Sequence, residues 1–482
     1  MSAEGMLTMG EAAAALGLTK ARVSQLAAQG ALEARMVGGR KMATAASVEA
    51  YGASRRPSGA AGRVDSTTAV RLTLMCADYE VARLLYDPSY EYPLELLEVL
   101  DAARMAFGCA TSGGRGRKRE LNSWWEHRSV PDSRPGMLSR LSELGVRVGW
   151  DLPARGLGLS LSDCYWVRPD GRDDLVWADL NYFENDFEGC RMMDLEGCRN
   201  AGLGSGWDAW LAGIGLDSPD NTSEGELPKR WAIRGCAADG ERDGERNGER
   251  VLIKGCGADD QRPFNETVAT ALHARLLGMG EYVPYEVVRV AGGPACVCPD
   301  FLGPREEYVP AVYVKDAMGA VRGSSTYDRL CRFAGMHGSG EGPVRDALSK
   351  MIVCDSILAN TDRHWRNFGF VRNVDSLELR PAPLFDTGNC LWYEKTSAQV
   401  EAGDWSFAAK PFGPEPERQL AMVDVADWFD PEALEGFVEE ALGILAGSAH
   451  ASQPGRLGFI ARGLRRRIDA VSAVMEVQRF RG

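Results

Sequence analysis

The sequence has no long apolar run, few histidines and no closely paired cysteines, and each absence excludes a class of protein. No stretch of its 482 residues approaches the ~18 apolar residues of a membrane-spanning helix, and the N-terminus lacks the features of a signal peptide. The 12 cysteines form no Cys-x-x-Cys pair and there are only five histidines, which argues against a zinc site or a disulfide framework. The net charge of −13 argues against nucleic-acid binding by bulk charge. We therefore expect a cytoplasmic protein of about two to four domains that does not act at a membrane.

The N-terminal residues differ in charge from the rest of the chain. Residues 1–56 carry seven basic and four acidic side chains, a net charge of +3. Thr8 and Glu11 have the spacing of a capping box, which predicts that a helix begins there. Thr19 predicts the start of a second helix, with Val23 and Leu26 facing inward.

A hairpin and a third helix are expected to follow. Residues 32–43 are predicted to form two short strands around Gly38-Gly39, a tight-turn signal. Residues 45–51 are predicted to be helical. This order of two helices and a basic hairpin resembles the winged helix-turn-helix domain of the excisionase and MerR type, in which the second helix enters the major groove and the wing contacts the backbone. The resemblance implies DNA contacts through Lys20, Arg22, Ser24, Gln25, Arg40 and Lys41. The alternative is a small helical domain that binds protein.

The middle of the chain is rich in tryptophan. Residues 69–225 hold seven of the 12 tryptophans, which predicts a packed core or interface. The basic run of residues 113–119 is interpreted as a solvated loop, with phosphate contact as the alternative. Residues 157–169 and 177–187 look constrained, but no spacing in them identifies a chemistry.

Two carboxylates and an amide near the C-terminal third have a spacing that suits phosphoryl transfer. Asp362 precedes Asn367 by five residues, and Asp386-Thr-Gly follows 19 residues after Asn367. A buried helix up to Leu358 is predicted before them, and two strands, residues 368–372 and 377–385, are predicted between them. One carboxylate is needed to accept the proton of an attacking hydroxyl. An amide oxygen and a second carboxylate suit Mg²⁺, which prefers hard oxygen ligands.

A nucleotide-binding part is expected upstream of these residues. Residues 251–254 predict a buried strand that ends in Lys254, and a helix is expected to open at Glu266, 12 residues later. Lys254 is the candidate phosphate contact and Glu266 the candidate for the ion pair that orients it. The alternatives are a lysine that reaches solvent and a glutamate that stabilises the first turn of its helix. Residues 294–298 predict a further strand, and residues 299–303 a hinge that binds adenine.

These motifs resemble a known family. The segments NTDRHWRNFGF, residues 360–370, and PLFDTG, residues 383–388, are similar to those of HipA-like serine/threonine kinases, the family of toxin–antitoxin kinases. The resemblance covers residues of about 226–482 and implies ATP and Mg²⁺ as cofactors. It implies that Asp362 is the catalytic base, that Asn367 and Asp386 hold Mg²⁺, and that Lys254 contacts the phosphates. His364 is expected to brace the catalytic loop, or to be merely structural. Asp355 is expected to be buried and bonded to the backbone of that loop.

The phosphate-binding loop departs from the kinase pattern. No Gly-x-Gly-x-x-Gly motif precedes Lys254; residues 235–240 and a near-repeat up to Arg250 stand in its place. Residues 239–250 hold five acidic side chains and three arginines. This net negative charge would repel phosphate groups, so the segment is poorly suited to bind them. We interpret this repeat as a solvated hairpin extension and assign no phosphate loop. The arginines near residues 462–467 are interpreted as the solvated face of a terminal helix.

The sequence therefore predicts an α+β protein with a two-lobed, protein-kinase-like HipA-like core, preceded by a Trp-rich region and a small winged helix-turn-helix domain. The predicted function is an ATP- and Mg-dependent serine/threonine protein kinase with a DNA-binding head for autoregulation or targeting. One alternative is a DNA-binding regulator with a kinase-fold sensor or scaffold; another is a small-molecule or phosphoinositide-like kinase. The protein substrate is not identified, and a homodimer is left open. The predicted divisions are residues 1–55, a linker over 56–68, and residues 69–225, 226–308 and 309–482.

Overall fold

The computed structural model describes most of the chain. The described residues are 6–16, 23, 26–27, 32–37, 40–54, 69–90, 92–109, 115–129, 156–187, 219, 227–234, 248–255, 257, 259–290, 293–319, 323–338 and 340–479. The chain divides into two compact units. The first unit comprises Met1–Val70 and Leu85–Glu95, and the second comprises Arg71–Leu84 and Leu96–Gly482.

The first unit begins with a strand and a capped helix. Strand Met6–Thr8 leads into helix Met9–Leu16. The backbone N–H of Thr8 donates to Glu11 Oε2 at 2.8 Å, and the N–H of Glu11 donates to Thr8 Oγ1 at 3.2 Å. The predicted capping box is therefore confirmed, because each side chain satisfies the other residue's free backbone donor.

A hairpin and a further helix complete the described part of this unit. Strands Ala34–Val37 and Arg40–Thr44 pair antiparallel, and Met6–Thr8 joins the second of them as a third strand. Helix Ala45–Ser54 follows. The hairpin and this helix confirm the prediction. Val23 and Leu26 are buried as predicted, but most of the predicted second helix lies outside the described residues.

Most residues of a four-stranded sheet belong to the second unit. The strand order is Leu94–Val99, Tyr79–Tyr86, Val70–Cys76, Tyr165–Pro169. The described tryptophans of the middle region are buried, as predicted: Trp124, Trp125, Trp166 and Trp177. Trp150, Trp207 and Trp210 lie outside the described residues.

The basic run in this region is not a loop. Helix Arg115–Glu126 contains its second half, so the loop interpretation of residues 113–119 is wrong for the residues that the structure describes. Arginine and lysine favour helices, and the same helix buries Leu121, Trp124 and Trp125. Helical propensity and an apolar face therefore outweigh the charge of its first turn. The short helix Trp177–Leu180 follows strand Tyr165–Pro169.

An antiparallel sheet, here called the 229–299 sheet, lies next along the chain. Its strand order is Glu286–Val290, Gly293–Pro299, Glu249–Gly255, Lys229–Arg234. Helix Arg262–Leu276 connects the strand of Lys254 to strand Glu286–Val290. The predicted strands at residues 251–254 and 294–298 are thus confirmed. The sheet ends at Pro299, earlier than the limit near residue 308 expected from the sequence.

A second antiparallel sheet, the 306–381 sheet, has the order Glu306–Pro310, Gly369–Asn373, Leu379–Pro381. Its last two strands confirm the predicted strand pair, although the second is shorter than predicted. The helices around this sheet are Ala311–Ala317, Thr326–Met336, Glu341–Leu358, Ser397–Glu401, Pro416–Leu420, Phe437–Leu445 and Arg456–Arg479. The described residues contain no helix both long enough and apolar enough to span a bilayer.

Candidate active site

A cavity of about 590 Å³ brings the predicted catalytic residues together. Its lining includes Lys254, Glu266, Asp362, His364, Asn367 and Asp386. These side chains come from a strand, a helix and two loops that are up to 132 residues apart in sequence. The fold therefore places all six residues of the predicted catalytic and nucleotide site around one space.

Lys254 lies at the centre of the charged part of the cavity. Its Nζ is 2.9 Å from Asp386 Oδ1, 3.1 Å from Tyr285 Oη and 3.8 Å from Glu266 Oε1. Burial alone favours loss of its proton, but Asp386, Tyr285 and Glu266 outweigh burial and raise the pKa of Lys254 well above its usual value. The ammonium is therefore a fixed positive charge at the base of the cavity.

The pKa values of the two carboxylates beside Lys254 are shifted in opposite directions. Burial disfavours the ionised form of Asp386, but Lys254 and Lys229 hold its pKa well below the usual range. Burial raises the pKa of Glu266 in spite of Lys254. Asp386 is also the nearer partner of Lys254, at 2.9 Å against 3.8 Å for Glu266. Asp386 also has a φ of 57°, a left-handed backbone conformation that few non-glycine residues adopt and that recurs at active sites.

Glu266 does not open its helix, contrary to the sequence-based expectation. The helix begins at Arg262, with Pro263 in its first turn, so Glu266 lies in the second turn and is buried. Its Oε2 accepts the backbone N–H of Thr387 at 2.9 Å. A Cβ at Gly388 would lie 3.3 Å from Glu266 Oε1, which explains why a glycine follows Asp386-Thr at this close approach.

The buried helix Glu341–Leu358 leads into residues 360–367, which are here called the catalytic loop because they include the predicted catalytic residues. This helix ends at Ala359, which has a left-handed backbone (φ 52°, ψ 49°) and turns the chain toward the cavity. Asp355 is buried near the helix end, as expected, but its carboxylate accepts from side chains of the loop rather than from the loop backbone. The donors are Asn360 Nδ2 at 2.8 Å and Arg363 Nε at 2.8 Å. The backbone of the loop is held by Arg363 instead.

Arg363 is a structural residue that the sequence analysis missed. Its side chain is fully buried and its guanidinium donates to the Asn367 carbonyl at 2.7 Å, to the Phe385 carbonyl and to Thr387 Oγ1 at 2.9 Å. One side chain thus joins the helix end, the catalytic loop and the segment that carries Asp386. The only sequence signal is its position beside Asp362, which did not reveal these partners.

Asp362 presents its carboxylate between two donors. Its Oδ1 is 3.0 Å from Lys410 Nζ, and its Oδ2 accepts from Asn389 Nδ2 at 2.8 Å. The Asp362 backbone N–H donates to Asn360 Oδ1 at 2.9 Å. About 30% of the Asp362 side chain is exposed, so a substrate hydroxyl can reach it.

Asn367 and His364 stabilise the turn that follows Asp362. Asn367 Nδ2 donates to the Asp362 carbonyl at 3.0 Å, which turns the amide oxygen of Asn367 away from this bond. His364 Nδ1 accepts the backbone N–H of Arg366 at 3.2 Å, a contact that suits a bracing role. An amide oxygen and the ionised Asp386 in one cavity are hard oxygen donors, and this donor set fits Mg²⁺.

The cavity also has an apolar end, which aromatic side chains form. Phe301 stacks on Phe385 with ring centroids 5.6 Å apart, and Tyr308 meets Phe385 edge-on at 5.3 Å. Both Phe301 and Leu302 line the cavity just after the 229–299 sheet ends. Asp300 is the polar exception there, and burial raises its pKa to about 8. A flat apolar ring fits this end better than a charged group does.

Lys229 is a second basic residue of the cavity that the sequence analysis did not identify. It lines the cavity and lies directly across the strand ladder from Lys254. Arg234 and Glu249, which flank the acidic repeat, pair at the other end of the same ladder, roughly 16 Å away at ~3.3 Å per residue. The repeat itself lies largely outside the described residues, but its ends are therefore remote from Lys254.

The Trp-rich region supplies one wall of the cavity. Trp124, His127, Arg128 and residues 160–163 line it. The carbonyl of Ser162 accepts the backbone N–H of Tyr308 at 2.9 Å, so this wall is bonded to the chain just after the apolar end.

The predicted DNA-binding residues belong to the first unit and are only partly described. Lys20, Arg22, Ser24 and Gln25 lie outside the described residues. Arg40 begins strand Arg40–Thr44 and Lys41 is exposed on it. DNA contact through these residues stays a prediction.

Comparisons with known proteins include a short sequence match and likenesses to solved structures, two of which are described here. No model of a known protein family matches the chain. A 42-residue stretch is 50% identical to the serine/threonine-protein kinase CtkA of Helicobacter pylori, and it spans 9% of this chain and 13% of that protein. The crystal structure of the H. pylori proinflammatory kinase CtkA is similar with a TM-score of 0.36 and 18% identity, over 48% of this chain and 92% of that one.

A second solved structure is the complex of the Shewanella oneidensis toxin–antitoxin proteins HipA and HipB with operator DNA. One of its chains is similar with a TM-score of 0.43 and 14% identity, over 84% of this chain and 99% of that one. Since both TM-scores are below 0.5, neither likeness carries an inference about this chain.

Proposed function

We propose that this chain is an ATP- and Mg-dependent kinase that phosphorylates serine or threonine hydroxyls of a protein substrate. The observation that carries the proposal is the convergence of Lys254, Asp362, Asn367 and Asp386 on one cavity. A phosphotransferase needs a phosphate-binding cation, a proton acceptor and a set of metal ligands, and these four side chains supply all three. The short match to a serine/threonine-protein kinase supports the choice of acceptor.

The two ends of the cavity suit the two parts of a nucleotide. Its apolar end, with Phe301 and Phe385, suits the adenine ring, and its charged end, with Lys254 and Lys229, suits the phosphates. Lys254 is held beside Asp386 at 2.9 Å, so a phosphate that binds Lys254 also comes next to that carboxylate. This proximity requires a cation between the two negative groups.

Asn367 and Asp386 would hold that cation as Mg²⁺. The ion would offset the charge of the phosphates where they approach the carboxylate. Asn367 is suited to this because its amide nitrogen is already used by the Asp362 carbonyl.

Asp362 accepts the proton in the proposed transfer. The substrate hydroxyl oxygen forms a bond to the terminal phosphorus, the bond from phosphorus to the oxygen of the departing ADP breaks, and the hydroxyl proton passes to the Asp362 carboxylate. The partial exposure of Asp362 allows a hydroxyl on another chain to approach. A small-molecule or lipid hydroxyl undergoes the same chemistry, and no feature of the described residues favours it.

Intact mass before and after incubation with Mg-ATP tests the proposal. The wild-type chain should gain phosphate and Asp362→Asn should not. If neither gains phosphate and Lys254→Ala leaves nucleotide affinity unchanged, the kinase proposal fails. If neither gains phosphate but Lys254→Ala weakens nucleotide binding, the chain binds nucleotide without phosphorylating itself, and the same assay with an added protein acceptor then separates a kinase from a nucleotide sensor.

We also propose that the first unit binds DNA and serves as a head for autoregulation or targeting. The confirmed basic hairpin supports this role. In a gel-shift titration, the full-length chain with Lys20→Ala and Arg22→Ala should bind the promoter of its own gene more weakly than the wild type does. Its binding constant should also depend less steeply on salt concentration, because fewer phosphates are neutralised. Unchanged binding would contradict the proposal.

A further inference from the structure

A lysine from a distant segment contacts the carboxylate that the proposed function uses as a base. Lys410 Nζ lies 3.0 Å from Asp362 Oδ1, across 48 residues of sequence. Asn389 Nδ2 donates to the other oxygen at 2.8 Å. Each carboxylate oxygen of Asp362 is therefore bound by a donor that comes from outside the catalytic loop.

Aromatic anchors hold the segment of Lys410 on its N-terminal side. Trp405 stacks on Phe459 with ring centroids 5.2 Å apart and donates its indole N–H to the Phe459 carbonyl at 3.0 Å. The carbonyl of Trp405 accepts the indole N–H of Trp392 at 2.9 Å. The chain five residues before Lys410 is therefore fixed to the terminal helix Arg456–Arg479.

A second anchor follows Lys410 and contacts the catalytic loop itself. The ring of Phe412 meets Trp365 edge-on at 5.5 Å and Tyr327 edge-on at 5.4 Å. Trp365 lies three residues after Asp362. The same loop that carries Asp362 is thus packed against the segment that carries Lys410.

These anchors distinguish the Lys410–Asp362 pair from an ordinary surface ion pair. A surface pair contributes little because two long side chains must be ordered to form it. Here aromatic packing already holds the backbone on both sides of Lys410, so less conformational entropy is lost when the ion pair forms. The described cavity lining contains Asp362 but not Lys410, so the pair connects a residue of the cavity to a segment outside its lining.

We propose that Lys410 is a positioning residue for Asp362. Together with Asn389 it fixes the plane of the carboxylate, so that the lone pairs left free point at the incoming hydroxyl. The proton that moves to Asp362 is that of the substrate hydroxyl. The inference rests on the proposed kinase function.

The test compares Lys410→Met with Lys410→Arg and with Lys395→Met in the full-length chain. Lys395 is the matched control because it forms an ion pair within the same segment, with Asp404 at 2.6 Å, and does not contact Asp362. The readouts are the rate of ADP formation at saturating Mg-ATP and the Kd of Mg-ATP. Lys410→Met should lower the rate about 10- to 100-fold and change the Kd less than about twofold. Lys410→Arg should recover part of the rate, and Lys395→Met should keep the wild-type rate.

A double-mutant cycle assigns the effect to Asp362. In an Asn389→Ala background, in which Asp362 has already lost its other donor, Lys410→Met should cause a smaller loss of rate than it does in the wild type, because both side chains act through the same carboxylate. An equal loss in both backgrounds, a wild-type rate in Lys410→Met, or an equal loss in Lys395→Met would each overturn the assignment while leaving the kinase function standing. An inactive wild-type chain would refute the kinase function and the role of Lys410 with it.

Discussion

At the scale of single residues, the buried pair of Arg363 and Asp355 connects the catalytic loop to its supporting helix. The Arg363 side chain is 1% exposed and that of Asp355 is 9% exposed. Removing one member of such a pair leaves the other charge buried without compensation, which costs about 3–5 kcal/mol. We expect Arg363→Met to lower the free energy of unfolding by about this amount in urea titrations followed by fluorescence.

Arg380→Met is the matched control for this variant. Arg380 also forms an arginine–carboxylate pair, with Glu306 at 2.9 Å, but its side chain is 48% exposed. Solvent compensates the partner left behind, so the stability of Arg380→Met should stay close to that of the wild type. Equal losses in the two variants would contradict the buried-pair argument.

His273 makes stability depend on pH. It is buried on helix Arg262–Leu276, and burial lowers its pKa to about 3, against about 6.5 in an unfolded chain. Because the folded pKa is the lower one, the contribution of His273 is fully present above about pH 6.5 and is lost as the pH falls toward 3. From pH 7 to pH 5 the loss is about 2 kcal/mol. His273→Leu should remove this loss, as measured by urea unfolding at the two pH values.

The other titrating groups are common to the wild type and the His273→Leu variant. Their effects cancel when the loss of stability between pH 7 and pH 5 in the wild type is compared with that in the variant. A variant that loses as much stability between pH 7 and pH 5 as the wild type does would show that His273 is not the group responsible.

At the scale of elements, local sequence signals predicted the parts that carry most of the candidate site. The helix before Asn360 was predicted from apolar spacing, and the strand of Lys254 from a buried-type run. Both predictions are confirmed by Glu341–Leu358 and Glu249–Gly255. Each signal lies within a single element, where periodicity is read directly from neighbouring residues.

Local signals of this kind do not predict contacts between elements. Lys229 faces Lys254 only because of the register of two strands joined by a long connection. Asp362 meets Lys410 only through packing of Phe412 against the catalytic loop. The sequence predicts that helix Arg262–Leu276 starts at Glu266, whereas it begins at Arg262, and Pro263 in its first turn is the local signal for the earlier start.

At the scale of the whole molecule, the Trp-rich region acts on the candidate site through hydrogen bonds to the chain between the two sheets. Trp177 Nε1 donates to the Pro304 carbonyl at 3.1 Å. Arg250, near the start of the strand that carries Lys254, donates to the carbonyls of Tyr182 at 3.1 Å and Asn185 at 3.2 Å. The region therefore holds both the sheet that carries Lys254 and the segment at the apolar end of the cavity. Its sequence contained no catalytic spacing because its contribution is made through packing and backbone contacts.

Trp177→Phe should weaken nucleotide binding through this support. The variant keeps an aromatic ring but loses the bond to Pro304, and a hydrogen bond of about 1 kcal/mol corresponds to roughly a fivefold change in affinity. Trp428→Phe is the matched control, since it also removes an indole bond, to the Val425 carbonyl at 3.0 Å, but that bond does not reach the segment at the apolar end of the cavity. The Kd of Mg-ATP should rise about fivefold in Trp177→Phe and stay constant in Trp428→Phe. A constant Kd in both variants would show that the Trp-rich region packs beside the site without tuning it.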